Sequence, residues 1–341
     1  MRLVFIGFGT VGQGLAELLL AGREELARRY GLEWTVTGIA DTVKGSAYDP
    51  AGIDLAGALA LAAKGESLAA LDRGGKGWDA LGMARHAEAD ALLEATFTDI
   101  TTGEPATSHI RAALERGVHV VTTNKGPLAL HYRELAALAE AHGAEFLFEG
   151  TVMSGTPVLN LVRETLAGAE VLEMQGILNG TTNYILTRME EGLSYEDALA
   201  KAQELGYAEA VPDADVLGWD ALAKVTILAN VVFGATLEPG DSPCEGITKI
   251  TAADIARAKA EGKRYKLIGR VWREGAKVRA AVAPRLVDLA QPLAGVMGAT
   301  NAVAIRTDAL GEVTIVGPGA GKAQTGFAML TDLLTIVRRR S

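Results

Sequence analysis

The chain has 341 residues, a formal net charge of −9, 49% hydrophobic and 22% charged residues, and one cysteine, Cys244. That length suits a cofactor domain plus a second domain, and the composition excludes a disordered or fibrous chain. An acidic balance argues against nucleic acid as a partner, because phosphate binding needs a basic surface; one cysteine excludes a disulfide framework and a multi-cysteine metal site.

Met1 to Ile6 runs straight into glycine-rich sequence without signal-peptide character, and no apolar run approaches the roughly 20 residues of a membrane helix. A soluble, cytoplasmic protein with no membrane partner is expected. Arg338-Arg339-Arg340 read as cations opposing the dipole of a final helix.

From residue 2 to about 149, β-rich runs alternate with helical patterns. Strands are predicted at Leu3–Ile6, Thr35–Ala40, Ala91–Ala95, His119–Thr122 and Glu145–Phe148. Helices are predicted at Val11–Arg29, Pro105–Arg116 and His131–His142, the last two stopped by Gly117 and Gly143. Alternation of this kind predicts an α/β, Rossmann-type doubly wound parallel sheet. The stretch 47–82 carries no clear periodicity and reads as a loop-rich insertion with short helices. Beyond Gly150, longer helices (156–166, 194–205, 214–233, 251–261) mix with extended runs at Val171–Leu178, Lys266–Val271, Val278–Ala283 and Ala302–Arg306. This predicts an α+β substrate and dimerisation domain over 151–320, after a cofactor domain over 1–150. A last helix, 322–338, follows Gly317-Pro318-Gly319-Ala320-Gly321, and the segment 321–341 is expected to return to the first domain.

Gly7-Phe8-Gly9-Thr10-Val11-Gly12 has GxGxxG spacing between a strand and a helix, the context in which glycines let a pyrophosphate approach a helix N-terminus. Asp41, at the end of the second strand, can take a ribose hydroxyl, although it lies 29 positions beyond Gly12, more than the typical ~20. Lys44 could meet a 2′-phosphate instead, so NAD and NADP both stay open. Lys125 follows a strand, at the edge where doubly wound folds bind ligands, but also reads as a solvated loop lysine.

Asp220 and Lys224 lie four apart, on one face if helical. Their neighbours Trp219, Ala221, Leu222, Ala223 and Val225 predict burial, which suits either a structural ion pair or a lysine tuned for proton transfer. Asn179 to Tyr184 reads as a turn whose polar groups face a cleft or cap a helix. The five histidines have no zinc-ligand spacing.

Taken together, Gly176 to Leu186, Ala202 to Glu209, Asp215 to Asp220 and Lys224 resemble the homoserine dehydrogenase family. So do Gly7–Gly12, Glu94-Ala95-Thr96, Gly103-Glu104-Pro105, Thr123-Asn124-Lys125 and Gly317–Gly321, and the likeness covers nearly the whole chain in the family's order.

The resemblance implies NAD(P)-dependent interconversion of L-aspartate 4-semialdehyde and L-homoserine, a step toward threonine, methionine and isoleucine. It implies Lys224 as proton donor, with Lys125 and Asp220 also catalytic. Glu209 would hold the substrate's amino group beside Asp215, Gly180, Thr181 and Tyr207. The cofactor would lie along Gly7, Phe8, Gly9, Thr10, Val11, Gly12, Asp41, Lys44, Thr96, Lys125 and Gly321. A monovalent cation, Na+ or K+, is implied at Glu149 and carbonyls near Val152, Ser154 and Thr156, and a homodimer through the second domain.

Val211, Gln324 and Thr123 depart from the family's usual residues without removing a catalytic group. The chain shows no regulatory amino-acid-binding domain after the last helix, so feedback through one is not expected. A phosphorylating semialdehyde dehydrogenase would need Cys244 as nucleophile. A non-catalytic dinucleotide sensor would be expected to lose Lys125, Asp220 or Lys224, all of which are present.

Overall fold

A computed structural model describes Met1–Arg340. The chain divides into two compact units, 1–155 with 321–341, and 156–320.

The first unit opens with β1 (Arg2–Ile6), α1 (Thr10–Ala21), α2 (Arg23–Tyr30), β2 (Thr35–Asp41), β3 (Gly45–Tyr48), α3 (Leu55–Lys64) and α4 (Ala80–His86). It continues through β4 (Ala91–Glu94), α5 (Ala106–Leu114), β5 (His119–Thr122), α6 (Lys125–Leu130), α7 (Tyr132–Ala141) and β6 (Phe146–Leu147). The strands lie in the order β3-β2-β1-β4-β5-β6, all parallel except β3, which runs antiparallel to β2 at the edge. Leu3 to Ile6, Ala91 to Glu94 and His119 to Thr122 are buried without alternation, as expected where helices cover both faces of a parallel sheet. Because β1 lies between β2 and β4, the order reverses there, and the loops after β1 and β4 open at the carboxyl edge.

The second unit contains β7 (Val171–Ile177), α8 (Gly180–Glu190), α9 (Tyr195–Glu204), α10 (Asp213–Val216), α11 (Trp219–Val232) and α12 (Ala252–Ala260). Four strands complete its sheet: β8 (Lys263–Glu274), β9 (Lys277–Asp288), β10 (Thr300–Thr307) and β11 (Gly311–Pro318). Their order is β11-β10-β7-β8-β9, antiparallel throughout. Helix α11 crosses β8 closely at Gly269, where a Cβ would meet Val225 Cγ2 at 2.5 Å. The opposite face of the sheet carries the half-exposed Glu173, Gln175, Arg270, Ala281 and Ala283.

The chain closes with α13 (Lys322–Arg340), which belongs to the first unit and packs on α1. The crossing depends on small residues: a Cβ on Gly14 would sit 2.3 Å from the Lys322 carbonyl oxygen, and one on Gly326 2.6 Å from the Leu15 nitrogen.

Several expectations are corrected. The helix predicted over Val11–Arg29 breaks at Gly22, which leaves helical geometry and caps α1. That over 214–233 breaks at Gly218, whose φ of 88° favours glycine. That over 156–166 is reduced mainly to a π-helical turn at Leu161–Thr165. The sixth strand is only two residues long; the 47–82 stretch holds short helical pieces as expected, at Leu55–Lys64 and Leu68–Leu71, but opens on the end of β3, a strand that was not expected. Strand β11, into which part of the glycine-rich stretch is drawn, was not expected.

Candidate functional site

In the first unit, Gly7 takes φ 88° and donates its N–H to the Ala40 carbonyl at 2.7 Å. A Cβ there would lie 2.5 Å from the Ala95 carbonyl oxygen, and one on Gly12 equally close to that of Gly7, whereas one on Gly9 would meet only open space. Two glycines therefore close the turn and the middle one leaves its backbone approachable. Thr10 and Val11 begin α1.

Asp41 closes this loop. Its carboxylate accepts the N–H of Phe8 at 2.8 Å, of Val43 at 3.0 Å and of Lys44 at 2.9 Å, with the Lys44 ammonium 3.8 Å away. Burial opposes its ionisation, yet the N–H groups of Lys44, Phe8 and Val43, and then the Lys44 charge, hold the carboxyl below its usual range.

At the ends of β4 and β5 a buried carboxylate, Glu94, organises the edge. It accepts the Thr122 hydroxyl at 2.9 Å, the Thr96 N–H at 3.1 Å and the Thr96 hydroxyl. Asn124 caps α6 through its Oδ1, while its amide donates to the Phe97 carbonyl at 2.9 Å, so Lys125 starts a helix rather than lying in an open loop. Neither Glu94 nor Asn124 was expected to organise this edge, since their partners Thr122 and Phe97 lie 28 and 27 positions away in sequence.

Glu149 is buried and donates its N–H to Asp332 of α13 at 2.9 Å. The chain after the buried Val152 turns through positive φ at Met153 and Ser154, and Ser154 Oγ lies 2.7 Å from Thr325 Oγ1. Gly321, at φ 136°, precedes α13. Thr156, in the second unit, donates its hydroxyl to the Pro318 carbonyl at 2.9 Å.

In the second unit, Lys224 is 7% exposed. Its ammonium donates to Asp220 Oδ2 at 2.8 Å and to the Leu178 carbonyl, where β7 ends, at 2.7 Å. The i,i+4 spacing on α11 thus makes a partly buried pair. Asn179 extends it: its amide donates to Asp215 Oδ1 at 2.6 Å and Asp220 Oδ2 at 2.9 Å, while its Oδ1 caps α8 by accepting the Thr182 N–H. One side chain therefore sets the start of a helix and the spacing of two carboxylates. Burial first, and the charge of Asp220 second, push the Asp215 carboxyl up, against hydrogen bonds from Asn179 and Thr181 and the charge of Lys224.

Thr181 donates its hydroxyl to the Tyr207 carbonyl at 2.6 Å, tying α8 to the following loop, and Gly180 starts α8. The Tyr207 ring lies 5.0 Å from that of Tyr184 and is nearly half exposed. Glu209 stays exposed, its main-chain carbonyl accepting the Gln203 amide at 3.0 Å. The cluster is thus the buried Lys224 and Asn179 with the half-buried Asp220 and Asp215, and an open rim at Tyr207 and Glu209.

Such a cluster can transfer a proton through an ammonium held by one carboxylate and present a second carboxyl to a cationic group. Burial raises the Cys244 thiol, whose Sγ donates to the Leu217 carbonyl at 3.4 Å, so it lacks the character of a thiolate nucleophile. Among the described residues no cluster of three or more histidine, cysteine or acidic side chains could hold a metal, and no helix is long and apolar enough to cross a membrane.

The family model described as homoserine dehydrogenase, NAD binding domain, matches residues 7–149, and that described as homoserine dehydrogenase matches 157–334. The chain is 45% identical over 338 residues to an NAD(+)-dependent homoserine dehydrogenase of Pseudomonas canavaninivorans, covering 98% of this chain and 96% of that one. It is 40% identical to a homoserine dehydrogenase of Methanocaldococcus jannaschii, covering 98% of each. A hyperthermophilic archaeal homoserine dehydrogenase mutant, solved in complex with NADPH, superposes with a TM-score of 0.83 at 32% identity, over 99% of this chain and 98% of that one. A glycine turn built for a dinucleotide and a lysine–carboxylate cluster thus occur in a chain that matches both family models and full-length relatives, and the chain belongs to the homoserine dehydrogenase family of NAD(P)-dependent oxidoreductases.

Proposed function

We propose that this enzyme reversibly reduces L-aspartate 4-semialdehyde to L-homoserine in amino-acid biosynthesis, with substrate handled by the 156–320 unit and cofactor by the 1–155 unit. The Lys224–Asp220–Asn179–Asp215 cluster carries the reading. When bound, the nicotinamide supplies the hydride for the aldehyde carbon. Lys224 gives a proton to the carbonyl oxygen in that direction and takes one from the alcohol in the other, its ammonium oriented by Asp220 and the Leu178 carbonyl. Lys125 is a second catalytic lysine from the first unit. Glu209 and Asp215 receive the substrate ammonium, and Gly180, Thr181 and Tyr207 form the wall. The residues Gly7 to Gly12, Asp41, Lys44, Thr96, Lys125 and Gly321 hold the cofactor.

NAD is the preferred cofactor. Asp41 is pinned by three backbone N–H groups in its ionised form, and a 2′-phosphate brought to the end of β2 would meet that anion. Glu149 with carbonyls near Val152, Ser154 and Thr156 would hold a monovalent cation; a buried carboxylate followed by a positive-φ turn supplies the oxygen donors such an ion takes. The face of the second sheet that carries Ala281, Ala283 and the Arg270–Glu173 ion pair suits a homodimer, since it mixes apolar and polar groups as interfaces do. A cytoplasmic location fits one unpaired cysteine.

Comparing NAD reduction with L-homoserine and with 4-hydroxybutyrate, which lacks the amino group, tests the substrate reading. Turnover with the amino acid alone is expected; equal use of both would contradict it.

A further inference from the structure

Outside the lysine–carboxylate cluster, the second unit buries another lysine. Lys266 of β8 is 1% exposed. Its ammonium donates to Asn183 Oδ1 at 2.8 Å, to the Val296 carbonyl and to Met297 Sδ at 3.6 Å. Burial lowers this amine to about 8, with Arg264 acting the same way and Glu190 opposing, so it still carries its charge at neutral pH and each of its three protons has an acceptor. None of those acceptors is a carboxylate. A buried cation held only by neutral groups is costly to keep, and a methionine of similar length would fill the space without that cost.

The three acceptors share a purpose. Asn183 sits in the first turn of α8, and its amide donates onward to the carbonyls of Val296, at 3.2 Å, and Thr300, at 3.0 Å. One turn further on, Gly298 donates its N–H to Thr187 Oγ1 at 3.0 Å. At the other end, a Cβ on Gly180 would lie 2.6 Å from the Ala299 carbonyl oxygen. Segment 296–300 therefore packs against α8 between Gly180 and Thr187, and Lys266 joins the two at Asn183.

We propose that Lys266 is a positioning residue for the substrate site: by locking the first turn of α8 to segment 296–300, it sets where Asn179, Gly180 and Thr181 stand. The inference rests on the reading of those residues as the substrate wall. It assigns Lys266 no contact with substrate and no proton transfer.

Amide hydrogen exchange and steady-state kinetics on the whole enzyme test it with three variants. Lys266→Met removes the donors and Lys266→Gln removes the charge while keeping a polar side chain, so a folding failure of the first leaves the second to decide; Asn183→Ala removes the acceptor together with Asn183's own bonds to Val296 and Thr300 and marks the full loss of the lock. Each is expected to exchange roughly tenfold faster at 181–187 with α1 unchanged. Each is also expected to raise KM for L-homoserine about tenfold while leaving KM for NAD unchanged. The double variant of Lys266→Met with Asn183→Ala should be little worse than Asn183→Ala alone, since that change already removes the link to Lys266 together with Asn183's own bonds to Val296 and Thr300. Wild-type exchange at 181–187 together with wild-type KM for L-homoserine, or an equal rise in both KM values, would overturn the proposal. Faster exchange in the variants of an enzyme whose wild type does not oxidise L-homoserine would leave the positioning role standing and sink the substrate reading instead.

Discussion

Two residues in the lysine–carboxylate cluster were legible as a pair and two as a network only in the fold. Asp220 and Lys224 are four apart on a helix, and periodicity brings them together. Asn179 reaches Asp215 and Asp220 across 36 and 41 positions, a link that no local pattern encodes. Each supports a prediction. Lys224→Ala should lower kcat by about 10²–10⁴, the range for removing a general acid–base group, while a fluorescence titration with NADH gives an unchanged affinity. Asp215→Asn should raise the melting temperature at pH 7 to 8 while weakening L-homoserine binding. An acid whose pKa is raised in the fold is favoured there in its protonated form, so its ionised form opposes folding at neutral pH. The gain should fade as pH falls through the raised range toward about 4 and be gone below it, where the wild-type carboxyl is protonated in both states. A melting temperature lowered at pH 8 would contradict the burial argument. At the other site, Asp41→Ser should narrow the preference of kcat/KM for NAD over NADP, because it removes the fixed anion at the end of β2.

At the scale of elements, the alternating strands and helices of the first unit were readable because parallel strands buried on both faces are continuous apolar runs. The breaks were harder. Gly22 and Gly218 sit inside long helical patterns, and a lone glycine is tolerated in a helix often enough that periodicity runs through it. What decides is tertiary: a Cβ at Gly218 would lie 3.1 Å from Cys244 Sγ, and the left-handed backbone there turns the chain into the first turn of α11, which carries Asp220. Gly218→Ala should therefore cost about 1–3 kcal/mol of stability and impair turnover together. Packing of α13 on α1 has the same origin, since Gly14 and Gly326 face backbone atoms of the opposite helix. Gly326→Ala should cost about 1–3 kcal/mol as an overpacked contact, measured by denaturant melts. An unchanged midpoint would show that the crossing has room.

For the molecule as a whole, composition and order spoke for two kinds of architecture, and each unit carries its own sheet and its own polar site. A homodimer is the part of the proposal with no signal in residue spacing, because the open face of the second sheet mixes Arg270, Glu173 and Gln175 with alanines. Sedimentation should give twice the monomer mass, and Ala283→Lys should shift it to the monomer. The central claim concerns chemistry, and nicotinamide absorbance on adding L-homoserine to the purified enzyme, with NAD and NADP in parallel and Lys224→Ala beside the wild type, meets it most directly. Reduction by the wild type, faster with NAD, and near-silence from the variant are the predicted results. No reduction of either cofactor, with no oxidation of NADH or NADPH by L-aspartate 4-semialdehyde, would contradict the account, and so would a variant as fast as the wild type.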